Sequence, residues 1–221
     1  EAIIDNREEV ASKMIYEVEK NNIKIFKGFT VTGTSGYKRI NKISIMQLSK
    51  DGQKVIGSKI SLSCDCLGVS GGWTPAVHLF TQSGGKLKFR EDDQVFIPNI
   101  YPSDQLSIGA CNGDFTLDEI LVNTPKSLID YLNIKNTEYD NLEISSSTNK
   151  SKRNIWLLPS DKILGKTKSF VDYQNDATAK DIKLALREGF RSIEHVKRYT
   201  TTGMGTDQGK LGNMHALGII A

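Results

Sequence analysis

The sequence predicts an α/β domain followed by a separate small α domain, and three observations carry that expectation. Near the start, the apolar run Ala2-Ile3-Ile4 ends at Asp5. A helical pattern then runs from about Glu8 to Lys20 with Val10, Met14, Ile15 and Val18 at helical spacing, and Ile23-Lys24-Ile25-Phe26 follows as a strand. This β-α-β rhythm belongs to parallel α/β sheets. Residues 29–108 then alternate between strand-like runs and turn residues. After a polar stretch from Asn136, the chain beyond Trp156 turns helical, with short helices expected at roughly 178–188, 192–200 and 210–221.

The bulk numbers bound the class. A chain of 221 residues with 38% hydrophobic content can bury a core. Its 25% charged residues and net charge of +3 lack the clustered basic face that nucleic-acid binding needs. The apolar runs are only a few residues long, too short to span a membrane, and the first residues lack a signal-peptide pattern. Cys64, Cys66 and Cys111 form an odd, sparse set, which argues against a disulfide framework and for a reducing, cytoplasmic setting.

Within the first domain, Asn21-Asn22 ends the opening helix. The strand and glycine-rich turn that usually precede such a unit are missing, so the chain is expected to begin inside a domain. Val31 to Gly36 leads to Ile40, Ile43 and Ile45, and Lys50-Asp51-Gly52 makes a hairpin-type turn before Val55 to Leu62. Cys66-Leu67-Gly68-Val69 reads as a short buried strand. It runs into the loop Ser70-Gly71-Gly72-Trp73-Thr74-Pro75. Cys64 and Cys66 read as buried, inert thiols, since two cysteines cannot fill a tetrahedral zinc site. Trp73 is expected to pack over its loop and His78 to be structural.

The densest chemical signal spans residues 109–119. A strand ending at Ile108 runs into Gly109-Ala110-Cys111-Asn112-Gly113-Asp114-Phe115, and Thr116 with Glu119 forms a capping box that sets a helix start. A helix N-terminus offers unpaired amides and a positive dipole end that favour a pyrophosphate. Small residues let the backbone approach a ligand, Asp114 can bind a sugar hydroxyl, and Cys111 serves as a small filler. A purely structural turn fits the same spacing.

This segment resembles the Gly-Asp motif of two-domain FAD/NAD reductases, and residues 29–62 resemble their three-stranded meander. Residues 70–79, Ser-Gly-Gly-Trp-Thr-Pro-Ala-Val-His-Leu, with Gly84-Gly85-Lys86-Leu87, are similar to a segment of the α subunits of heterotetrameric sarcosine oxidases. The resemblance implies NAD at this site, with Ala110, Phe115 and Leu117 on contact positions and Gly113 and Asp114 in the same turn. Many relatives lack an acidic residue at position 114.

The helical region is identified by residues 170–182, 187–200 and 201–210, which resemble the bacterioferritin-associated-ferredoxin type of [2Fe–2S] domain. Thr178 is expected to cap a helix with Ile182, Ala185, Leu186 and Phe190 on one face. Gly189 ends that helix in a left-handed conformation, and Ser192 caps the next. That domain holds its cluster with four thiolates. The matching positions here are Asp172, Gln174, Asp207 and Gly212, which cannot bind iron in this way. The resemblance therefore implies a scaffold without its cluster. The turn 197–203, Lys-Arg-Tyr-Thr-Thr-Thr-Gly, either merely packs or contacts a flavin phosphate or ring.

The resemblance divides the chain into 1–135, the C-terminal part of a nucleotide-binding domain; 136–160, a polar linker; and 161–221, the helical module. It implies an enzyme that converts sarcosine to glycine at FAD on a β subunit, passes electrons to FMN at the αβ interface and on to oxygen, and transfers the one-carbon unit to tetrahydrofolate. Partners are then the β, γ and δ subunits. No catalytic or metal residue is expected in this chain, which is not expected to be active alone. The rivals are a subunit of a related amine or opine dehydrogenase, and a non-catalytic assembly module.

Overall fold

The computed structural model describes residues 1–9, 13–102, 104–134, 154–162 and 168–221. Its chain falls into two compact units: residues 1–10, 17–67 and 155–221 in one, residues 11–16 and 68–154 in the other. Of the stretch 136–160, expected as a polar linker, residues 136–153 lie outside the described residues, while Trp156 and Leu157 pack on the helical core.

In the first unit, β1 (Ala2–Asp5) and β2 (Lys24–Lys27) pair in parallel, Ala2 opposite Lys24 and Asp5 opposite Lys27, with α1 (Lys13–Lys20) between them in sequence. The expected β-α-β rhythm is present, but Glu8 and Glu9 precede the helix rather than joining it. The cause is local. The Asp5 carboxylate accepts the Arg7 amide at 2.9 Å and its guanidinium at 2.7 and 3.0 Å, while the Arg7 carbonyl accepts the Gly28 amide at 2.9 Å. Arg7 is held from both sides in a non-helical turn.

A three-stranded antiparallel meander follows as expected: β3 (Phe29–Gly36), β4 (Ile40–Leu48) and β5 (Val55–Ser63), in that order. Alternation along β4 buries Ile43 and Ile45, which pack with Phe26 into one core, joined at its edge by Ile4, Phe29, Val31, Ile60 and Leu62. The β4–β5 turn is closed by Ser49 and Asp51, with Gly52 left-handed at φ 72°.

The strand expected at Cys66–Val69 is absent. β5 ends at Ser63, residues 64–77 carry no regular element, and Val69 is 82% exposed. Gly68, Gly71 and Gly72 leave too few side chains to form a packed strand face. Cys64 touches the meander core, but Cys66 is exposed rather than buried. Trp73 does not pack over its loop, being 83% exposed, and His78 is exposed at the start of α2 (His78–Gln82).

The second unit holds α2, the hairpin of β6 (Lys86–Arg90) and β7 (Val95–Ile100), and α3 (Leu117–Leu132). The strand expected to end at Ile108 is not formed. Residues 105–108 pair with no neighbour, although Ile108 is extended, and a one-turn 3-10 helix occupies Gly109–Asn112.

At the C-terminal end of the first unit, β8 (Phe170–Asp172) and β9 (Ala177–Thr178) form a small hairpin that feeds α4 (Ala179–Arg187), α5 (Ile193–Thr200) and α6 (Gly212–Ile220). The three helices lie where sequence periodicity places them. Ile182, Ala185, Val196 and Ala216 are buried together, with Leu186, Phe190 and Ile193 packed at the margin. Alanines at 179 and 185 let the helices approach closely. Gly189, at φ 96°, ends α4: its amide bonds to the Leu186 carbonyl and the Phe190 amide to that of Ala185. Ser192 stands at the start of α5, but its side chain makes no cap hydrogen bond. Trp156 lies flat against Gly218 of α6, where any Cβ would meet the indole ring, and the ring stands edge-on to His215 with centroids 5.8 Å apart.

Candidate functional site

The start of α3 forms as its sequence requires. Thr116 is extended, its hydroxyl accepts the Glu119 amide at 3.4 Å, and the Glu119 carboxylate accepts the amides of Phe115 and Thr116, each at 3.2 Å. Before it, Gly113 turns the chain in a left-handed conformation at φ 88°. Glycine is required there twice over. The positive φ disfavours a side chain, and a Cβ would stand 2.8 Å from Arg90 Nη2 and 2.9 Å from Ile97 Cγ2. Arg90 Nη2 donates to the Gly113 carbonyl at 2.7 Å and pairs with Asp93. Its Nε is buried with no hydrogen-bond partner. Arg90, on β6, is 23 residues from the turn it grips. Sequence reasoning missed it, and only the β6–β7 hairpin register brings it there.

The sequence-derived site residues fall together along this turn. Ala110 and Leu117 are exposed, the latter by 68%, while Asp114 and Phe115 are half-buried and Gly113 is buried. Asp114 does not stand alone: its carboxylate accepts the Asn123 side-chain amide at 3.0 Å, which ties it to the second turn of α3. Cys111 donates its thiol to the Ile108 carbonyl at 2.9 Å.

The backbone donors of the segment are largely engaged. The amides of Gly113 and Asp114 bond to the carbonyls of Ala110 and Gly109, those of Phe115 and Thr116 to Glu119, and that of Glu119 to Thr116. A capping box and a pyrophosphate compete for the same amides, and Asp118 and Glu119 add negative charge to the first turn. What the segment presents outward is chiefly the surface of Ala110 and Leu117 beside the half-buried Phe115. That surface suits the ring and sugar parts of a nucleotide better than its phosphates.

In the helical module, the four positions that the ferredoxin resemblance singles out have other partners. Asp172 is buried and accepts the amides of Gln174 at 2.8 Å, Asn175 at 3.2 Å and Gly203 at 2.7 Å, together with the Asn175 side chain at 3.2 Å. Burial pushes its carboxyl up, but these donors outweigh burial and leave it below the ordinary carboxylate range. Gln174 Oε1 accepts the amide and hydroxyl of Thr206 at 2.6 and 2.8 Å. Asp207 accepts the Gly209 amide at 3.3 Å. At Gly212 a Cβ would sit 2.8 Å from the Val171 carbonyl oxygen, so the start of α6 rests directly on β8. Among the described residues, no group of three or more His, Cys, Asp or Glu side chains is placed to hold a metal ion. No helix among them is long and apolar enough to cross a membrane.

Comparison with known proteins places this architecture. The solved L-proline dehydrogenase from P. horikoshii matches 99% of this chain and 43% of its own, with a TM-score of 0.52 at 17% identity, which shows a shared fold. The class is thus an α/β fold found in that dehydrogenase. Sequence is more specific. Residues 166–221 match the family model described as the sarcosine oxidase A3 domain. Over its whole length the chain is 30% identical to sarcosine oxidase subunit alpha of Rhizobium meliloti (strain 1021) and 28% identical to that of Corynebacterium sp. (strain U-96), covering 21% and 23% of them. The chain corresponds to a segment of the sarcosine oxidase α subunit and spans about a fifth of the length of the curated relatives it matches.

Proposed function

We propose that the chain is part of a sarcosine oxidase α subunit in which residues 109–119 contribute to an NAD site and the C-terminal helices provide a packing module between subunits. The observation that carries this reading is similarity to such subunits along the entire chain, joined to a capped helix start placed directly after a glycine-restricted turn. Ala110, Phe115 and Leu117 contact the ring and sugar portions of NAD, Gly113 lets the turn close, and Asp114 holds the turn to α3 through Asn123.

On this reading, residues 1–135 are the C-terminal part of a nucleotide-binding domain, 136–160 a polar linker and 161–221 a helical module like that of bacterioferritin-associated ferredoxin. The module carries no cluster, because Asp172, Gln174, Asp207 and Gly212 at the matching positions offer no thiolate. The complete cytoplasmic heterotetramer oxidatively demethylates sarcosine to glycine, with FAD in the β subunit, FMN at the αβ interface, peroxide as product and one-carbon transfer to tetrahydrofolate. The γ and δ subunits complete it.

Equilibrium dialysis of NAD against the complete α subunit tests the site. We expect saturable binding, weakened about tenfold or more by Leu117→Arg, which alters an exposed side chain and leaves the fold intact. Absence of saturable binding, with no nucleotide released on denaturation, favours a non-catalytic assembly module. Iron and acid-labile sulfide in stoichiometric amounts would overturn the reading of residues 172–212.

A further inference from the structure

The segment that joins α5 to α6 is built unlike the helices on either side. Residues 201–211 form successive turns, with Thr201, Gly203, Gln208 and Gly209 all at positive φ. Gly203 and Gly209 both abut Asn213 of α6, where a Cβ on either would lie 2.2 or 2.1 Å from its side-chain amide. The apolar core of Ile182, Ala185, Val196 and Ala216 draws no residue from this segment, though Thr202 within it is buried and its hydroxyl meets that of Thr200 at 2.7 Å. Two side chains of the β8–β9 turn reach across to it instead: Asp172 to the Gly203 amide and Gln174 to Thr206.

We infer that residues 201–206 form a strap latched to the β8–β9 turn at two points by Asp172 and Gln174, able to open as a unit while the α4–α5–α6 core stays closed. The geometry supplies the reason. Both Asp172 oxygens accept only from N–H groups, and the Gly203 bond spans 31 positions of chain. Losing it leaves a buried amide without an acceptor; opening also bares the buried Thr202, while the apolar side chains of the α4–α5–α6 core remain packed on one another. The latch is anionic but contains no cation. The titratable groups on the elements around it are Tyr173 and Asp176 of the turn, Lys180, Asp181, Lys183 and Arg187 of α4, Glu194, His195, Lys197, Arg198 and Tyr199 of α5, Asp207 and Lys210 of the segment itself, and His215 of α6. Asp181 is engaged by Thr178, Asp207 by the Gly209 amide, and His215 by Trp156 and the Leu211 carbonyl. None of these groups is among the interactions that set the Asp172 carboxyl. Opening should therefore be indifferent to salt, unlike the release of an ion pair, and should follow acid only below the ordinary carboxylate range.

Hydrogen exchange measured by mass spectrometry on the complete protein tests this, with peptides covering 201–206 as reporter and 182–196 as internal reference. In Asp172→Asn, one oxygen acceptor becomes an N–H donor facing other donors. We expect exchange in the reporter to rise roughly tenfold or more with the reference unchanged. A parallel rise in both peptides would mean that Asp172 supports the whole module, and no rise would mean that it latches nothing. Either overturns the inference. Gln174→Ala, at an exposed side chain, guards against a variant that fails to fold. It should accelerate the Thr206 and Gly203 amides together, because the strap opens as a unit; acceleration of Thr206 alone would reveal two independent contacts and overturn the inference, and no acceleration removes the second point. In the unmodified protein, reporter exchange should hold constant between about 0.05 and 0.5 M salt; a salt-driven increase would reveal an ion pair and contradict the latch.

Discussion

Helices α3 and α4 begin in the same way and end in different surroundings. Each opens on a threonine capping box, Thr116 with Glu119 and Thr178 with Asp181, and each continues with an amphipathic pattern. Yet α4 buries Ala179, Ile182 and Ala185, while none of the sixteen residues of α3 is buried, and Leu117, Val122 and Leu132 stay more than half exposed. A cap decides where a helix starts because its hydrogen bonds are local. Whether the apolar stripe is covered depends on partners distant in sequence. α4 has α5 and α6 against its stripe; among the described residues of the second unit, α3 is met chiefly by the short 3-10 turn.

The strongest way to break this comparison is to truncate one apolar residue on each helix. Ile182→Ala, at a fully buried site, should cost about 2–5 kcal/mol in urea unfolding. Leu132→Ala, 58% exposed, should change stability by less than about 0.5 kcal/mol. Similar losses at both positions would show that α3 is covered in solution. A smaller effect is expected from the caps. Thr116→Ala and Thr178→Ala should each cost about 1 kcal/mol, but the first should appear as fraying of α3 by hydrogen exchange, the second as a lower Tm of the helical module. The smallest concerns acid. Thr178 donors hold the Asp181 carboxyl below its ordinary value, and Asp172 is lowered despite its burial. In both cases the unfolded chain binds protons more readily than the folded one. Their stabilisation is therefore complete above the unfolded carboxylate range near 3.8 and is lost as pH falls through the lower folded values. A module whose Tm stayed flat across that acid range would contradict these assignments.

The features legible in sequence were those set by neighbours a few residues apart. The parallel pair β1–β2, the meander, both threonine caps and the left-handed Gly189 follow from spacing and turn chemistry. What was not legible depended on contacts between distant residues. Cys66–Val69 has strand-like composition, but no strand pairs with it. The run before Gly109 likewise stays extended and unpaired. The candidate site shows the same division. Thr116, Glu119 and Gly113 announced the turn, whereas Arg90 on Gly113 and Asp172 on Gly203 join residues 23 and 31 positions apart, and no local pattern marks them. The same capping box that suggests free helix-end amides fills several of them by its own geometry.

Asn213 carries a consequence for how this chain can vary. One side chain of α6 occupies the space beside two glycines, six residues apart, that both require left-handed backbone. The three positions are thus sterically coupled. Any substitution at 203 or 209 must first displace Asn213, and a bulkier residue at 213 would force both turns outward together, so changes there should arise as coordinated sets and not one at a time.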